Sequence, residues 1–261
     1  MGEAKHRNAG AEASTDDPSF QRSVFTQAFE QTCKLLDNAE GDDLRALIVT
    51  HRGRNGMIDR VAQTVAAGGH AECKIGCASC CHQMVLCAPF EVFAIARYLL
   101  DRKTSVEIGA IKERLANLSH LPLDPGVRYD NQRPCALLED SRCMVYEQRP
   151  SLCRTMLSAS RAACEGCLAS KTGTIPYLAD PTRIAAMMQL GIDYAIIRRR
   201  KWSTERVELS RALLTALGDF GGTLTRWANG EDPFPDSHAR RPGHPTNYEM
   251  AQTAARRFGI G

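Results

Sequence analysis

The chain has 261 residues, of which 43% are hydrophobic and 24% charged, a composition typical of globular proteins. A net charge of +3 is too small to indicate nucleic acid or a membrane surface as a partner, and charged residues interrupt every apolar stretch, which excludes a bilayer-spanning segment. The start of the chain is polar and lacks the apolar core of a secretory signal. We therefore expect a cytoplasmic protein whose compartment keeps thiols reduced.

Helical periodicity predicts a mostly α fold. We interpret residues 1–18 as a disordered leader, residues 19–231 as a single helical domain, and residues 232–261 as a loosely attached tail with a short helix at Tyr248–Arg257. Within the domain the pattern predicts helices from Phe20, over Ile58–Ala67, from Pro89 to Leu100, over Val106–Leu118, from Pro181 (with Asp180 as N-cap) through Ile197, over Arg206–Leu217 and over Leu224–Ala228.

The pattern changes between Leu121 and about Pro176, where proline, aspartate and cysteine dominate. Two short runs, residues 136–138 and 144–146, look extended and flank the turn-like residues 139–142. The sequence therefore predicts a small β-hairpin carrying Cys135 and Cys143. Helices on both sides would enclose this irregular cysteine-rich region, which spans residues 73–167.

Ten of the eleven cysteines fall between Cys73 and Cys167. In a reducing compartment, clustered cysteines more often bind metal or perform redox chemistry than form disulfides. Cys80 and Cys81 are successive, so on a helix they would point about 100° apart and could not easily bind one small ion together. They could bind different metals of a polynuclear cluster, or one could bind while the other packs.

The remaining cysteines carry weaker signals. Cys33 lies on the apolar face of a predicted helix, which favours a buried structural role. Cys87 and Cys167 leave the structural and the ligand interpretations equally open. His82, which follows the cysteine pair, could be a ligand but is more often a local hydrogen-bonding residue.

Several charged residues stand among the cysteines: Arg142, Arg149, Arg154 and Arg161. They could offset thiolate charge and donate hydrogen bonds to sulfur, or they could be solvated surface charges. We expect Arg154 to orient the centre or bind an anionic substrate without being a ligand, and we take Arg154, Arg149 and Glu147 as candidate cofactor-binding residues. The basic run at residues 198–201 is better explained as a solvated helix end than as a nucleic-acid patch.

Two separated motifs occur in order: Cys-x3-Cys-x2-Cys-Cys, followed by Pro89 and Glu91, and then Cys-x7-Cys-x3-Glu-x-Arg-Pro-x2-Cys-Arg. This arrangement resembles the YkgJ-like CxxxCC cysteine-cluster family, described as a zinc- or iron-chelating domain. Flagellin lysine methylases look similar at the cluster, which in them is an iron–sulfur centre. The resemblance covers roughly residues 73–167 and implies these metal ligands: Cys73, Cys77, Cys80, Cys81, Cys135, Cys143, Cys153 and, from one branch, Cys164.

Two functional hypotheses follow. In the first, the two motifs assemble an iron–sulfur cluster, [4Fe–4S], in a redox or protein-modifying enzyme. In the second, a non-catalytic module binds zinc, which is structural or is handled as cargo. Thiolate sites suit either metal, but about eight clustered cysteines exceed the four ligands of one zinc and favour a larger cluster or two metals. The sequence gives no substrate or protein partner.

Overall fold

The structure, a computed structural model, describes residues 15–68, 70–124, 133–171, 175–239 and 243–261. Within these residues ten α-helices account for most of the fold, which confirms the predicted class. They are α1 (Pro18–Asp37), α2 (Asp43–Ala67), α3 (Pro89–Arg102), α4 (Ser105–Ser119), α5 (Ser151–Thr155), α6 (Arg161–Ser170), α7 (Ala179–Arg200), α8 (Leu209–Gly218), α9 (Phe220–Ala228) and α10 (Asn247–Phe258).

The helix starts follow from their sequences. Asp17 accepts a hydrogen bond from the Ser19 N–H at 2.7 Å and Pro18 occupies the first turn of α1. A capping box opens α4, where Thr104 and Glu107 satisfy each other's backbone N–H groups. The first half of α2, before Ile58, was not predicted, because Arg52, Gly53 and Arg54 interrupt its apolar pattern.

The longest helices pack against one another. α1 and α7 lie side by side, and Gly191 makes their close approach possible, since a Cβ there would stand 2.4 Å from the Phe25 carbonyl oxygen. Aromatic side chains fill the core between α3 and α9: the Phe93 and Trp227 ring centroids are 5.3 Å apart, and those of Trp202 and Trp227 are 4.3 Å apart.

The C-terminal helix α10 forms where the sequence predicts one, but it is packed. Ala251, Ala255 and Phe258 are buried, and the Phe258 ring lies 5.5 Å from that of Phe25 on α1. The prediction of loose attachment is therefore wrong for these residues, because a period of three to four brings their apolar side chains onto one buried face. The division of the chain into domains stays a prediction, and residues 1–14 of the predicted leader lie outside the described residues.

Two small antiparallel sheets complete the described fold. Strand β1 (Leu86–Cys87) pairs with β4 (Val207–Glu208), so the helix predicted from Arg206 begins only at Leu209. Strands β2 (Leu138–Glu139) and β3 (Arg142–Cys143) form the predicted hairpin with a tighter turn than expected. α7 begins at Ala179, which places Asp180 in the first turn instead of at the N-cap. No helix in the described ranges is long and apolar enough to cross a membrane.

Candidate metal centre

One cavity of about 400 Å³, partly open to solvent, lies between the two cysteine motifs. Seven of the eight predicted metal ligands line it: Cys73, Cys77, Cys80, Cys81, Cys135, Cys143 and Cys153. The prediction that the two motifs meet in space is confirmed. A backbone hydrogen bond joins them directly, because the Cys135 N–H donates to the Cys81 carbonyl at 2.8 Å.

The first motif supplies its cysteines from a turn and a short 3₁₀ helix, and not from one α-helix over Cys77–Cys81. The Cys77 N–H donates to the Lys74 carbonyl at 3.0 Å, and Gly76, with φ of +89°, takes the left-handed conformation that this turn requires. The 3₁₀ helix Ser79–His82 then presents Cys80 and Cys81 to the cavity. Both members of the vicinal pair therefore face the same cavity.

The hairpin supplies Cys135 and Cys143. Its two-residue turn holds Asp140 at φ 47° and Ser141 at φ 61°, the left-handed geometry of tight hairpin turns, which aspartate tolerates well. Leu138 pairs with Cys143 in the register of β2 and β3. The hairpin thereby brings Cys143 back to the cavity that Cys135 also lines.

Helix α5 contributes Cys153 to the cavity and is held in place by a buried carboxylate on α3. Glu91 accepts the Ala88 N–H at 2.7 Å and the Ser151 N–H at 2.7 Å, and it pairs with Arg54 of α2 at 2.7 Å. Side chains 91 and 54 are 1% and 0% exposed. Burial opposes ionisation of Glu91, but the charges of Arg54 and Arg206 and the two N–H donors outweigh it and lower its pKa.

Arg154 braces the loop before Cys153. Its Nη1 donates to the two carboxylate oxygens of Asp59 at 2.6 and 2.7 Å, its Nε donates to the Arg149 carbonyl at 3.1 Å, and its Nη2 donates to the Glu147 carbonyl. The guanidinium is 4% exposed and lines the cavity. These contacts fit the predicted orienting role better than the gripping of a substrate, because all three nitrogens already donate within the protein.

The thiols of the cavity stand in one another's electrostatic field. Burial raises the pKa of Cys153, and Cys135, Cys80 and Cys143 raise it further. A hydrogen bond to Cys80 raises the pKa of Cys81, with burial and the neighbouring Cys80, Cys135 and Cys153 adding to the effect. The same hydrogen bond, assisted by Arg149 against burial, lowers the pKa of Cys80 to about 7. Crowded thiols of this kind become thiolates most easily when a cation neutralises them.

The charged candidates divide into two groups. Arg149 and Glu147 line the cavity with Arg154, and the Arg149 guanidinium stacks 3.9 Å from the centre of the Tyr146 ring. Its charge helps to lower the pKa of Cys80, and it opposes the larger effect of burial, which raises the pKa of Cys143. Arg142 also lines it, but Arg161 pairs with Glu165 at 2.6 Å on the surface. His82 does not line the cavity.

The other cysteines lie outside the cavity. Cys164, the eighth predicted ligand, is buried on α6, within electrostatic reach of Cys73, Cys77 and Cys80. Cys33 is buried on α1, as expected from its apolar face, and Cys87 is buried on β1. All eleven cysteines are free.

The donor set fits a thiophilic metal, because the cavity offers sulfur ligands in excess of the four that one ion takes. In the part of the chain that the structure describes, however, no three cysteine, histidine or acidic side chains are already arranged around a point where one ion could bind. Which cysteines coordinate metal therefore stays a prediction.

Comparison with known proteins supports metal binding. Residues 72–172 match the CxxCxxCC family. Its description reads "Putative zinc- or iron-chelating domain", and the matched segment contains every cysteine of the cavity. The match confirms the resemblance inferred from the two motifs. No curated protein and no solved structure matches the chain.

Sequence reasoning missed three residues that shape this site. Asp59 binds Arg154, Arg54 binds Glu91, and Ser158 donates its N–H to the Cys73 sulfur at 3.1 Å. Asp59 and Arg54 lie five residues apart on α2, so their side chains point about 140° from each other around the helix axis. The partners of Asp59, Arg54 and Ser158 all lie far along the chain, so spacing carried no signal for any of the three.

Proposed function

We propose that the cavity cysteines hold an iron–sulfur cluster of the [4Fe–4S] type, and that the chain uses it as a redox or protein-modifying enzyme. The observation that carries the proposal is the convergence of seven cysteines, from three separate segments of the chain, on one cavity. Five of them are connected through pairwise electrostatic interactions: Cys80, Cys81, Cys135, Cys143 and Cys153. A cluster of this type takes four cysteine thiolates.

The number of cysteines and the size of the cavity favour a cluster over a single ion. One zinc ion takes four ligands, whereas seven cysteines line this cavity. The ligands of a cluster bind different irons and so stay farther apart. Liquid water occupies roughly 30 Å³ per molecule, so a cavity of about 400 Å³ has room for a polynuclear group.

The residues around these cysteines serve such a group in definite ways. Arg149 and Arg154 bring positive charge to the thiols and would offset the negative charge of a thiolate-bound centre. When bound, the cluster would supply one-electron transfer. The cavity also has an apolar wall, formed in part by Tyr98, Met144 and Leu157, that would exclude water from the centre and accept a small or extended substrate group.

Metal analysis of anaerobically purified protein tests the proposal. We expect a brown protein with iron and acid-labile sulfide in about equal amounts, with visible absorption that bleaches on reduction. The double substitution Cys135→Ser with Cys153→Ser should remove iron, sulfide and colour. The matched control is Cys33→Ala, which removes a buried cysteine outside the cavity and should leave all three unchanged.

A different metal at the same cysteines would overturn the proposal. This would be seen as a colourless protein without sulfide whose only metal is zinc, lost when Cys135 and Cys153 are replaced. The cavity would then be the zinc module of the second hypothesis. If the wild type contains iron and sulfide but transfers electrons no better than the cavity variants that have lost the cluster, the cluster is present and the redox role is wrong.

A further inference from the structure

A second cavity lies at the end of α7, and no cysteine of the described residues lines it. It opens to solvent and has a volume of about 600 Å³, which falls within the range of roughly 300–1,000 Å³ typical of small-molecule sites. Three parts of the chain enclose it: the last turn of α7, the segment 201–205 that follows, and the first half of α10. This cavity is therefore separate from the candidate metal centre.

Hydrogen bonds fix the walls of this second cavity. The Glu205 carboxylate accepts the N–H groups of Asn247 at 3.3 Å and of Tyr248 at 3.2 Å, which ties the segment 201–205 to the start of α10. The side-chain amide of Asn247 also donates to the Thr204 carbonyl at 3.1 Å. The cavity is thus formed by elements that are bonded to each other.

Positive charge dominates the lining of this cavity. Arg198, Arg199 and Lys201 face one carboxylate among the described residues, that of Glu205. Glu205 lies against N–H groups at the positive end of the α10 dipole, which already balance part of its charge. Arg199 pairs with Asp37 of α1 at 3.0 Å. Arg198 and Lys201 are exposed and have no ion pair within the described residues, so both cations are available to a ligand.

The helix dipole alone does not account for this end of α7. Cations in a last turn offset the negative end of the helix, which explains Arg198. Lys201, however, has a φ of +57°, the left-handed conformation for which glycine is the usual residue at a helix end. The chain therefore keeps a cationic side chain at a position where its backbone conformation is unfavourable.

A buried hydroxyl in the same lining lacks a partner. Thr204 is 2% exposed, and its Oγ1 makes no hydrogen bond within the described residues. Buried polar groups in folded proteins are nearly always paired, so an unpaired one needs an explanation. A ligand oxygen in the cavity would provide the missing partner.

We propose that this cavity binds a small organic dianion that carries a planar group, of which an aryl phosphate is the simplest example. Arg198 and Lys201 match its two negative charges, and a guanidinium presents a planar fork that suits phosphate or carboxylate oxygens. Tyr248, which is 47% exposed and lines the cavity, offers an aromatic ring for the planar group. The site is independent of the metal centre, whichever metal that centre holds.

Calorimetric titration of the purified protein with phenyl phosphate, inorganic phosphate and phenol tests the inference. Phenyl phosphate should bind most tightly, inorganic phosphate more weakly, and phenol not measurably. Arg198→Gln with Lys201→Gln should weaken phenyl phosphate binding at least about tenfold, because hydrogen bonds to a charged group are lost. The matched control, Arg256→Gln with Arg257→Gln, removes two exposed cations from the last turn of α10 outside the cavity and should leave the affinity unchanged.

Two single substitutions test the other parts of the site. Tyr248→Ala should lower the affinity for phenyl phosphate toward that for inorganic phosphate, whose own affinity should stay the same. Thr204→Val removes the hydroxyl and keeps nearly the same shape, so it should weaken the binding of both phosphates by about tenfold.

The inference is wrong if phenyl phosphate does not bind, or if the control pair weakens binding as much as the pair at positions 198 and 201. It is also wrong if Arg142→Gln abolishes binding and the 198/201 variant retains it, because the anion would then bind at the metal cavity, which Arg142 lines. Equal affinities for phenyl phosphate and inorganic phosphate would overturn the inferred planar group.

Discussion

Replacing Glu91 with glutamine should both destabilise the fold and loosen the metal site. The substitution keeps the shape of the side chain but removes its charge, and it leaves Arg54 as a cation that is 0% exposed without its ion-pair partner. Breaking one side of a buried pair costs about 3–5 kcal/mol. With a denaturant slope of about 3 kcal/mol per molar urea, the unfolding midpoint should fall by about 1–2 M.

The effect on the metal follows from the second contact of the same carboxylate. Glu91 accepts the Ser151 N–H at the start of α5, two residues before Cys153. A glutamine amide can accept at one of these positions but presents its own N–H groups at the other. We expect Glu91→Gln to weaken metal binding about 10- to 100-fold, which is typical when a group that orients a ligand is lost.

Glu107→Gln is a matched control. Glu107 occupies the same capping-box position on α4, where it accepts the Thr104 N–H at 2.9 Å, but it is exposed. Glu107→Gln should lower the urea midpoint far less than Glu91→Gln does, and it should leave the metal content unchanged. The assay is urea unfolding followed by circular dichroism, together with competition for the metal by a chelator. Equal midpoint shifts for the two variants, or normal metal affinity in Glu91→Gln, would refute the reasoning.

Three further predictions concern the charges and thiols of the site. Arg154→Lys should lower metal content or shift the centre's potential, and Arg154→Ala should do so more strongly, because lysine keeps the charge but loses the planar fork. Unchanged metal content, potential and activity in both variants would show that Arg154 does not serve the metal centre. Removing the metal with a chelator, or by the double substitution Cys81→Ser with Cys153→Ser, should make residues 121–176 sensitive to limited proteolysis while the flanking helices stay intact. If the metal-free protein is as resistant to protease as the metal-bound protein, this prediction is wrong. Metal affinity, measured by competition, should fall from about pH 8 to about pH 6, because raised thiol pKa values make protons compete with the metal; a flat profile would count against thiolate ligation.

The acid stability of the protein gives another test of Glu91. Its pKa is lowered in the folded state, so its contribution to stability is complete above the unfolded value of about 4.3 and is lost as the pH falls through the lowered pKa. The difference in urea midpoint between wild type and Glu91→Gln should therefore shrink only in acid. A difference that already vanishes near pH 6 would show that Glu91 is not ionised in this pair.

Local pattern was enough to predict much of the fold. Apolar periodicity predicted most of the helices, and turn-like residues between two extended runs predicted the hairpin. Local pattern could not predict the pairing of β1 with β4, because each strand has only two residues and the two strands are far apart in the chain. The first half of α2 was missed for a related reason: Arg54 looks like a surface charge until Glu91, from another helix, accounts for its burial.

The candidate site could be predicted in composition but not in arrangement. Clustered cysteines in two motifs predicted one shared centre, and seven of the eight candidates line one cavity. Cys164 lies outside that cavity, and Ser158, which donates its N–H to the Cys73 sulfur, carried no sequence signal. Residues that orient metal ligands contact them only in the folded structure, so their positions in the sequence show no characteristic spacing.

Glu91 connects the stability of the helical scaffold with the affinity of the metal centre. Its three partners belong to α2, to the start of α3 and to the start of α5, so one carboxylate fixes the ligand-bearing helix to two scaffold helices. Metal binds the folded chain and stabilises it by mass action. In the resulting thermodynamic cycle, the destabilisation by Glu91→Gln should be larger with metal bound than without it, by the free energy that metal binding loses. A weakening of 10- to 100-fold corresponds to about 1.4–2.8 kcal/mol. If the two destabilisations are instead equal, Glu91 supports the scaffold alone and α5 is positioned by other contacts.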